Sequence, residues 1–260
     1  MRSFVTRVWA NKSAFLGTLR AAIGFLTRVP MGRVAVADVE AAPPWFPIVG
    51  AMLGVVGGVV YAGAGRTMPP AVAASLAIAT GLLITGAFHY DGLADVADAF
   101  GGGWTKERRL EILNDSRHGT YGVVTLAIVL IIQVSSLASL SRRHGLFVLI
   151  AAETLARAGA VVLLAVMQPA RTRGLAASSA RALNRSSVYV GVGAGVVIAI
   201  VAIGWWSIAA IAVVAVCVGL VGLLAQKKIG GMVGDVLGAA EQIAFTGVLV
   251  VCVALAYPGR

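Results

Sequence analysis

Apolar runs of about 17 to 25 residues recur along the chain, each long enough to cross a hydrocarbon core of about 30 Å as a helix. That repetition points to an all-α, polytopic integral membrane protein with about six to seven transmembrane helices. A content of 59% hydrophobic and 12% charged residues agrees with it. The candidate spans are 45–63, 70–88, 120–140, 146–167, 188–204, 205–225 and 236–257. The fifth and sixth come from one continuous apolar run, too long at 1.5 Å per residue for a single crossing. Gly204-Trp205-Trp206-Ser207 marks its turn, since Trp favours the membrane interface. A single domain covers residues 1–260. In its first 44 residues, Ser13, Gly17, Arg20, Gly24 and Thr27 share one helical face, with Phe15, Leu19, Ala22, Ile23 and Leu26 around the rest. This pattern suits a helix lying at the interface. No cleavable leader is expected, because no short apolar core ends in a small-residue cleavage site. Cys217 and Cys252 lie inside spans and read as small core residues rather than a disulfide or a metal site.

The charges orient the bundle. With the N-terminus inside, the inner segments hold Arg2, Arg7, Lys12, Arg20, Arg28 and Arg33, then Lys106, Arg108, Arg109 and Arg117. Arg171, Arg173, Arg181, Arg185, Lys227 and Lys228 fall on the same side. The outer segments hold only Arg66, Arg142, Arg143 and Arg260. This alternation follows the positive-inside rule. The formal charge of +10 therefore sets topology and attraction to the membrane surface, and gives no support to a nucleic-acid groove. Apart from Glu153, every acid falls on the inner, cytoplasmic side.

Residues 89–122 are acidic within this basic chain: six acids stand among four bases. If 89–99 is helical, Asp91, Asp95 and Asp98 sit at i, i+4 and i+7 and share one face. Like charges at that spacing repel, and a divalent cation would reverse the sign; Mg²⁺ takes a few carboxylates plus substrate phosphates. A solvated acidic loop is the alternative. His89 and His118 bracket the stretch without a zinc-type partner spacing, and read as hydrogen-bonding or stacking residues. Ser116 and Thr120 lack an obvious base; their hydroxyls could hold phosphate oxygens.

The second polar segment, residues 226–242, faces the same compartment. Lys227 and Lys228 precede Gly230, Gly231 and Gly234, and glycines ahead of a helix let backbone N–H groups approach a phosphate. Asp235 stands at the expected helix start, where capping is its structural role. Glu241 lies two turns further in, where a carboxylate is costly unless paired or coordinating. Glu153 and Arg157 stand at i, i+4 within the fourth span. They read either as a mutually neutralising pair or with Arg157 turned toward a substrate phosphate.

Four ordered segments then resemble the cobalamin synthase family, the adenosylcobinamide-GDP ribazoletransferases, over about residues 20 to 245. They are Phe25-Leu26-Thr27-Arg28-Val29-Pro30, Phe46-Pro47-Ile48-Val49-Gly50, the run from Asp91-Gly92-Leu93-Ala94-Asp95 through Asp115-Ser116-Arg117 to Gly119-Thr120-Tyr121-Gly122, and Gly230-Gly231 through Glu241. The resemblance implies an inner-membrane enzyme that uses Mg²⁺ to join adenosylcobinamide-GDP to α-ribazole or its 5′-phosphate, releasing GMP. It implies metal on Asp91, Asp95 and Asp98, with Asp115 as a further ligand or the base. Phosphate would lie on Arg117 and Lys227 or Lys228, with Asp235 and Glu241 completing the polar rim, and Ser116, Thr120, Gly231 and Arg157 are further candidate substrate contacts. The site would open broadly toward the cytoplasm, and homo-oligomers stay open. Asn114 stands where a basic residue is expected, a cation Arg108 or Arg109 would supply, and Val233 replaces an expected threonine. Two alternatives are a CDP-alcohol phosphotransferase, whose motif would want arginine at Asp95, and a secondary transporter, whose charges should lie nearer the midplane.

Overall fold

The structure is a computed structural model that describes residues 12–115 and 117–257. In chain order its helices are α1 (Lys12–Leu26), α2 (Val36–Glu40), a 3₁₀ turn at Pro43–Trp45, α3 (Phe46–Ala64), α4 (Pro70–Thr85), α5 (Phe88–Gly102) and α6 (Lys106–Ile112). They continue with α7 (Thr120–Ser139), α8 (Arg142–Val166), α9 (Leu175–Ala182), α10 (Arg185–Ile203), α11 (Trp206–Ile229) and α12 (Gly234–Ala256). No strand occurs among the described residues. Six helices are long and apolar enough to cross a membrane, or seven if the bent pair α4–α5 counts as one span. The protein is an all-α integral membrane protein.

The expected spans coincide with helices to within a few residues, save the second. The apolar run 70–88 does not continue as one rod. It stops at Thr85, where Gly86 (φ 65°) and Ala87 (φ 58°) both turn left-handed, and α5 restarts at 90° to α4. Arg28 closes the break: its N–H donates to the Ile84 carbonyl at 2.7 Å, and its guanidinium lies where a Gly86 side chain would project. The 89–119 segment is therefore mostly helix, and within 226–242 only Gly230–Val233 is loop. The turn at Gly204-Trp205 stands as expected, with Ser207 Oγ donating to the Gly204 carbonyl at 2.6 Å.

Two helices form the centre. About 72% of the apolar window of α8 and 67% of that of α12 is buried, against 28% in α7, α10 and α11. In lipid there is no hydrophobic drive between apolar helices, so small residues that allow close approach decide packing. Gly50, Gly54 and Gly58 give α3 such a stripe: a Cβ at Gly54 would stand 2.5 Å from the Ile150 Cα on α8. The same device joins α5 to α12. A Cβ at Gly92 would lie 2.9 Å from the Asp235 carbonyl oxygen, and one at Gly238 3.3 Å from the His89 Cα. The acidic helix and the last helix thus meet backbone to backbone. On the other side, α1 buries Ala21, Ala22 and Leu26 in a small cluster with Val49 and Leu53 of α3.

Candidate active site

Along α5 the three aspartates grade from surface to core. Asp91 is exposed, Asp95 is partly buried and Asp98 is buried. His118, in the segment leading into α7, closes on the first two: its Nε2 lies 3.6 Å from Asp91 Oδ1 and its Nδ1 3.6 Å from Asp95 Oδ1. One ligand atom from each of these three residues falls within 4.8 Å of the others, close enough to share a cation. Two carboxylates and an imidazole are a donor set that a divalent ion accepts. His118 was missed as a ligand candidate because nothing in its local spacing marks it. The partners come from 23 and 27 residues upstream.

Asp98 does not join that group. Its oxygens accept the Gly119 N–H at 2.7 Å and the Gly122 N–H at 2.9 Å, closing the open N-terminus of α7. Both positions need glycine, since a Cβ at either would stand 2.5 Å from an Asp98 oxygen. Asp98, expected among the metal ligands, is thus placed in an anchoring role outside the trio. Asp115 also stands apart. It is clasped by Arg117, with Nε to Oδ1 at 2.9 Å and NH2 to Oδ2 at 2.6 Å. The guanidinium holds the Asp115 carboxyl at about 2, below its ordinary range, so it is a weak base. Ser116 lies outside the described residues. Thr120 is exposed at the first turn of α7.

The second polar segment meets the first, though not through the residues expected. Val233, not Asp235, takes the N-cap position of α12 and offers no side-chain bond there. Asp235, the second helical residue, is left half-buried and shares the cleft with Asp91. Lys228 is spent on structure: its Nζ donates to the Phe100 carbonyl at 3.2 Å, near the end of α5. Lys227 is exposed and lies outside the cleft lining. Gly231 is needed for close approach, because a Cβ would lie 2.5 Å from the Gln168 carbonyl. That contact belongs to a short bridge in which Ala170 N donates to Met232 O at 2.8 Å and Met232 N to Gln168 O at 3.0 Å.

The bridge brings Arg171 and Arg173 to Asp91 and Asp235 in one cleft of about 390 Å³. These two arginines were not singled out from the sequence as site residues. Arg171 is held by Asn114 Oδ1 and the Leu110 carbonyl, both at 2.6 Å. Asn114, the departure noted above, is therefore the seat of a cation supplied from elsewhere. Arg108 and Arg109 do not supply it: Arg108 pairs with Glu111 at 2.7 Å, and Arg109 donates to the Lys228 and Trp104 carbonyls.

Behind the cleft lies a buried ionic knot. Arg157, 2% exposed, reaches both Glu153 and Glu241, the latter at 2.8 Å. Glu241 is wholly buried and also faces His89 Nδ1 at 3.1 Å and accepts from Gln242 Nε2 at 2.9 Å. Glu241 is thus not on a solvated rim. From Gln242 the polar chain runs on, Gln133 donating to Gln242 and Thr246, and Tyr90 to Gln133 at 2.6 Å. The pairing reading of Glu153 and Arg157 holds, with Glu241 as third member. Arg157 also lines the cleft, and its Nε is buried without a hydrogen-bond partner.

Fold and site together define a polytopic membrane protein with an open, charged cleft at one end of its central helices. The chain belongs to the family described as cobalamin-5-phosphate synthase, which matches residues 18–253. It is 39% identical to the adenosylcobinamide-GDP ribazoletransferase of Bradyrhizobium diazoefficiens, over 92% of this chain and 94% of that one. The protein of the same name from Azorhizobium caulinodans is 38% identical over 89% and 93% of the two chains. That from Shewanella frigidimarina is 36% identical over 85% and 88%. No solved structure matches the chain. These relatives are transferases of cobalamin synthesis and the chain belongs with them, which sets aside the phosphotransferase and transporter alternatives.

Proposed function

We propose that this protein catalyses the reaction its relatives are named for, with Mg²⁺, at the cytoplasmic face of a bacterial inner membrane. A ribose hydroxyl of α-ribazole, or of its 5′-phosphate, attacks the cobinamide-side phosphorus of adenosylcobinamide-GDP. The new P–O bond replaces the one to the second phosphate, and GMP leaves. The observation that carries the reading is the Asp91–Asp95–His118 trio beside a cleft holding Arg157, Arg171 and Arg173.

When bound there, a divalent cation would neutralise the pyrophosphate and favour departure of GMP. The chain's own residues do the remainder. Arg171, fixed by Asn114 and Leu110, and Arg173 hold anionic oxygens in the cleft. Asp235, free of a capping duty and half-buried, takes the proton of the attacking hydroxyl. The Gly92–Asp235 contact sets that carboxylate beside the trio. The distribution of Lys and Arg supports the cytoplasmic orientation.

The test is GMP release by purified protein. GMP should appear only when both substrates and Mg²⁺ are present, and chelator should stop it. Absence of GMP under those conditions from well-folded protein would sink the assignment.

A further inference from the structure

Part of the cleft is not charged. Phe25, Val39, Pro43, Phe46 and Phe88 line it, contributed by the N-terminal third of the chain and the first turn of α5. The rings form one group: Phe25 stacks on Phe46 at 5.6 Å and 12°, and meets Phe88 edge-on at 5.2 Å and 78°. Phe88 is still 43% exposed, so part of this group stays open. The proposed chemistry, which needs anion binding and a base, makes no use of these residues.

Resting on the activity proposed above, we infer that this aromatic wall is the seat of the base of the acceptor nucleoside, and not of guanine. One observation decides between the bases, and a second decides which part of the substrates enters. None of the five side chains offers a hydrogen-bond donor or acceptor. Guanine carries acceptors at N7 and O6 and a donor at N2, and burying such groups unmatched is costly. A dimethylbenzimidazole presents a carbon and methyl edge and loses little there, while its flat ring stacks on an aromatic side chain. The second observation is scale. A cleft of about 390 Å³ sits at the small end of ligand cavities, which run from about 300 to about 1,000 Å³. It accommodates a nucleoside and its phosphate, so the broad corrinoid ring stays outside. The same cavity holds Arg173 and the buried, unpartnered Arg157 Nε, cationic partners for a 5′-phosphate on that nucleoside.

The wall therefore selects the acceptor by exclusion of polar-edged bases. Equilibrium binding to the purified full-length protein tests this without turnover, using α-ribazole and GMP as probes. Phe88→Leu should weaken α-ribazole on the order of tenfold, a stacking loss, and leave GMP within about twofold. Phe88→Tyr, which keeps the ring, should bind both like wild type. In unaltered protein, guanosine should fail to compete with α-ribazole, a result that needs no variant to fold. The inference is overturned if Phe88→Leu weakens GMP as much as α-ribazole, if it changes neither, or if guanosine displaces α-ribazole. Loss of the activity reading would look different: α-ribazole would bind as described while no GMP was released from the two substrates.

Discussion

The Asp98 carboxylate receives the Gly119 amide at 2.7 Å, so a side chain in the middle of α5 fixes the backbone that carries His118. The residue before Gly119 is thereby held against Asp91 and Asp95. Asp98 acts on the trio through this clasp.

Asp98→Asn should accordingly do two things. The amide nitrogen accepts no hydrogen bond, so one of the Gly119 and Gly122 N–H groups loses its acceptor, and losing one charge-assisted bond costs about 1.5–3 kcal/mol. The unfolding midpoint in detergent should fall. The Mg²⁺ concentration for half-maximal GMP release should rise with it, because His118 is loosened. An unchanged Mg²⁺ requirement in folded Asp98→Asn protein would separate the clasp from the metal group.

The proposed metal ligands should behave differently. Asp91→Asn and Asp95→Asn are each expected to lower activity by about 100-fold or more while leaving stability near wild type. His118→Ala should raise the metal requirement about 10- to 100-fold. Titration of GMP release against Mg²⁺ separates these cases. A His118→Ala enzyme with wild-type metal dependence would remove the imidazole from the group.

Asp235 and Glu241 should part company. Glu241 is locked between Arg157 and His89, and removing one partner of a buried pair costs about 3–5 kcal/mol. Glu241→Gln should therefore give little folded protein. Asp235 caps nothing, so Asp235→Asn should fold normally and lose turnover per molecule. Quantifying folded protein alongside GMP release reads both effects, and the reverse pattern would exchange their roles.

Asp115 should be silent in pH profiles. Arg117 lowers its pKa from 3.8 to about 2, so it is ionised throughout the range above pH 5. What the pair adds to stability is present above pH 3.8 and is lost as pH falls toward 2. Asp115→Asn should leave the shape of the activity profile between pH 5 and 8 unchanged. A shifted acid limb would restore it as a catalytic base.

Sidedness can be probed at two positions. Gly102 has open space around it and Lys227 is exposed, so cysteine fits at either. Gly230, with φ of 76°, is a poorer choice. Both cysteines should resist an impermeant reagent added outside intact cells. Labelling of either would contradict a cytoplasmic site.

Most of the fold could be read from runs of apolar residues and their flanking charges, because lipid forces each run into a helix of fixed length. The break before α5 could not. Gly86 hints at it, but the left-handed conformation of Ala87 has no local signal, and the Arg28 contact beside it comes from a distant segment. Among site residues, the Asp91–Asp95 spacing was legible as a helical face. The separation of Asp98 was not, since i+7 geometry says nothing of which neighbour claims each carboxylate. Glu241 betrayed its importance by its burial cost, yet its partners come from α5 and α8. Arg171 was passed over as one of many inward cations. Its meaning depends on a short bridge between Pro169 and Met232, which lie in loops far apart in the chain.

The right-angle corner between α4 and α5 has a consequence for the lipid. At 1.5 Å per residue, the 16 residues of α4 reach about 24 Å, some 6 Å short of the hydrocarbon thickness. Either the leaflet is pinched around α4, or the ledge formed by α5 is sunk beneath the headgroups and wetted from above. In the second case a water-soluble nucleotide would be handled below the plane of the lipid phosphates. Turnover in reconstituted vesicles then becomes a function of acyl-chain length, declining as thicker bilayers bury the ledge.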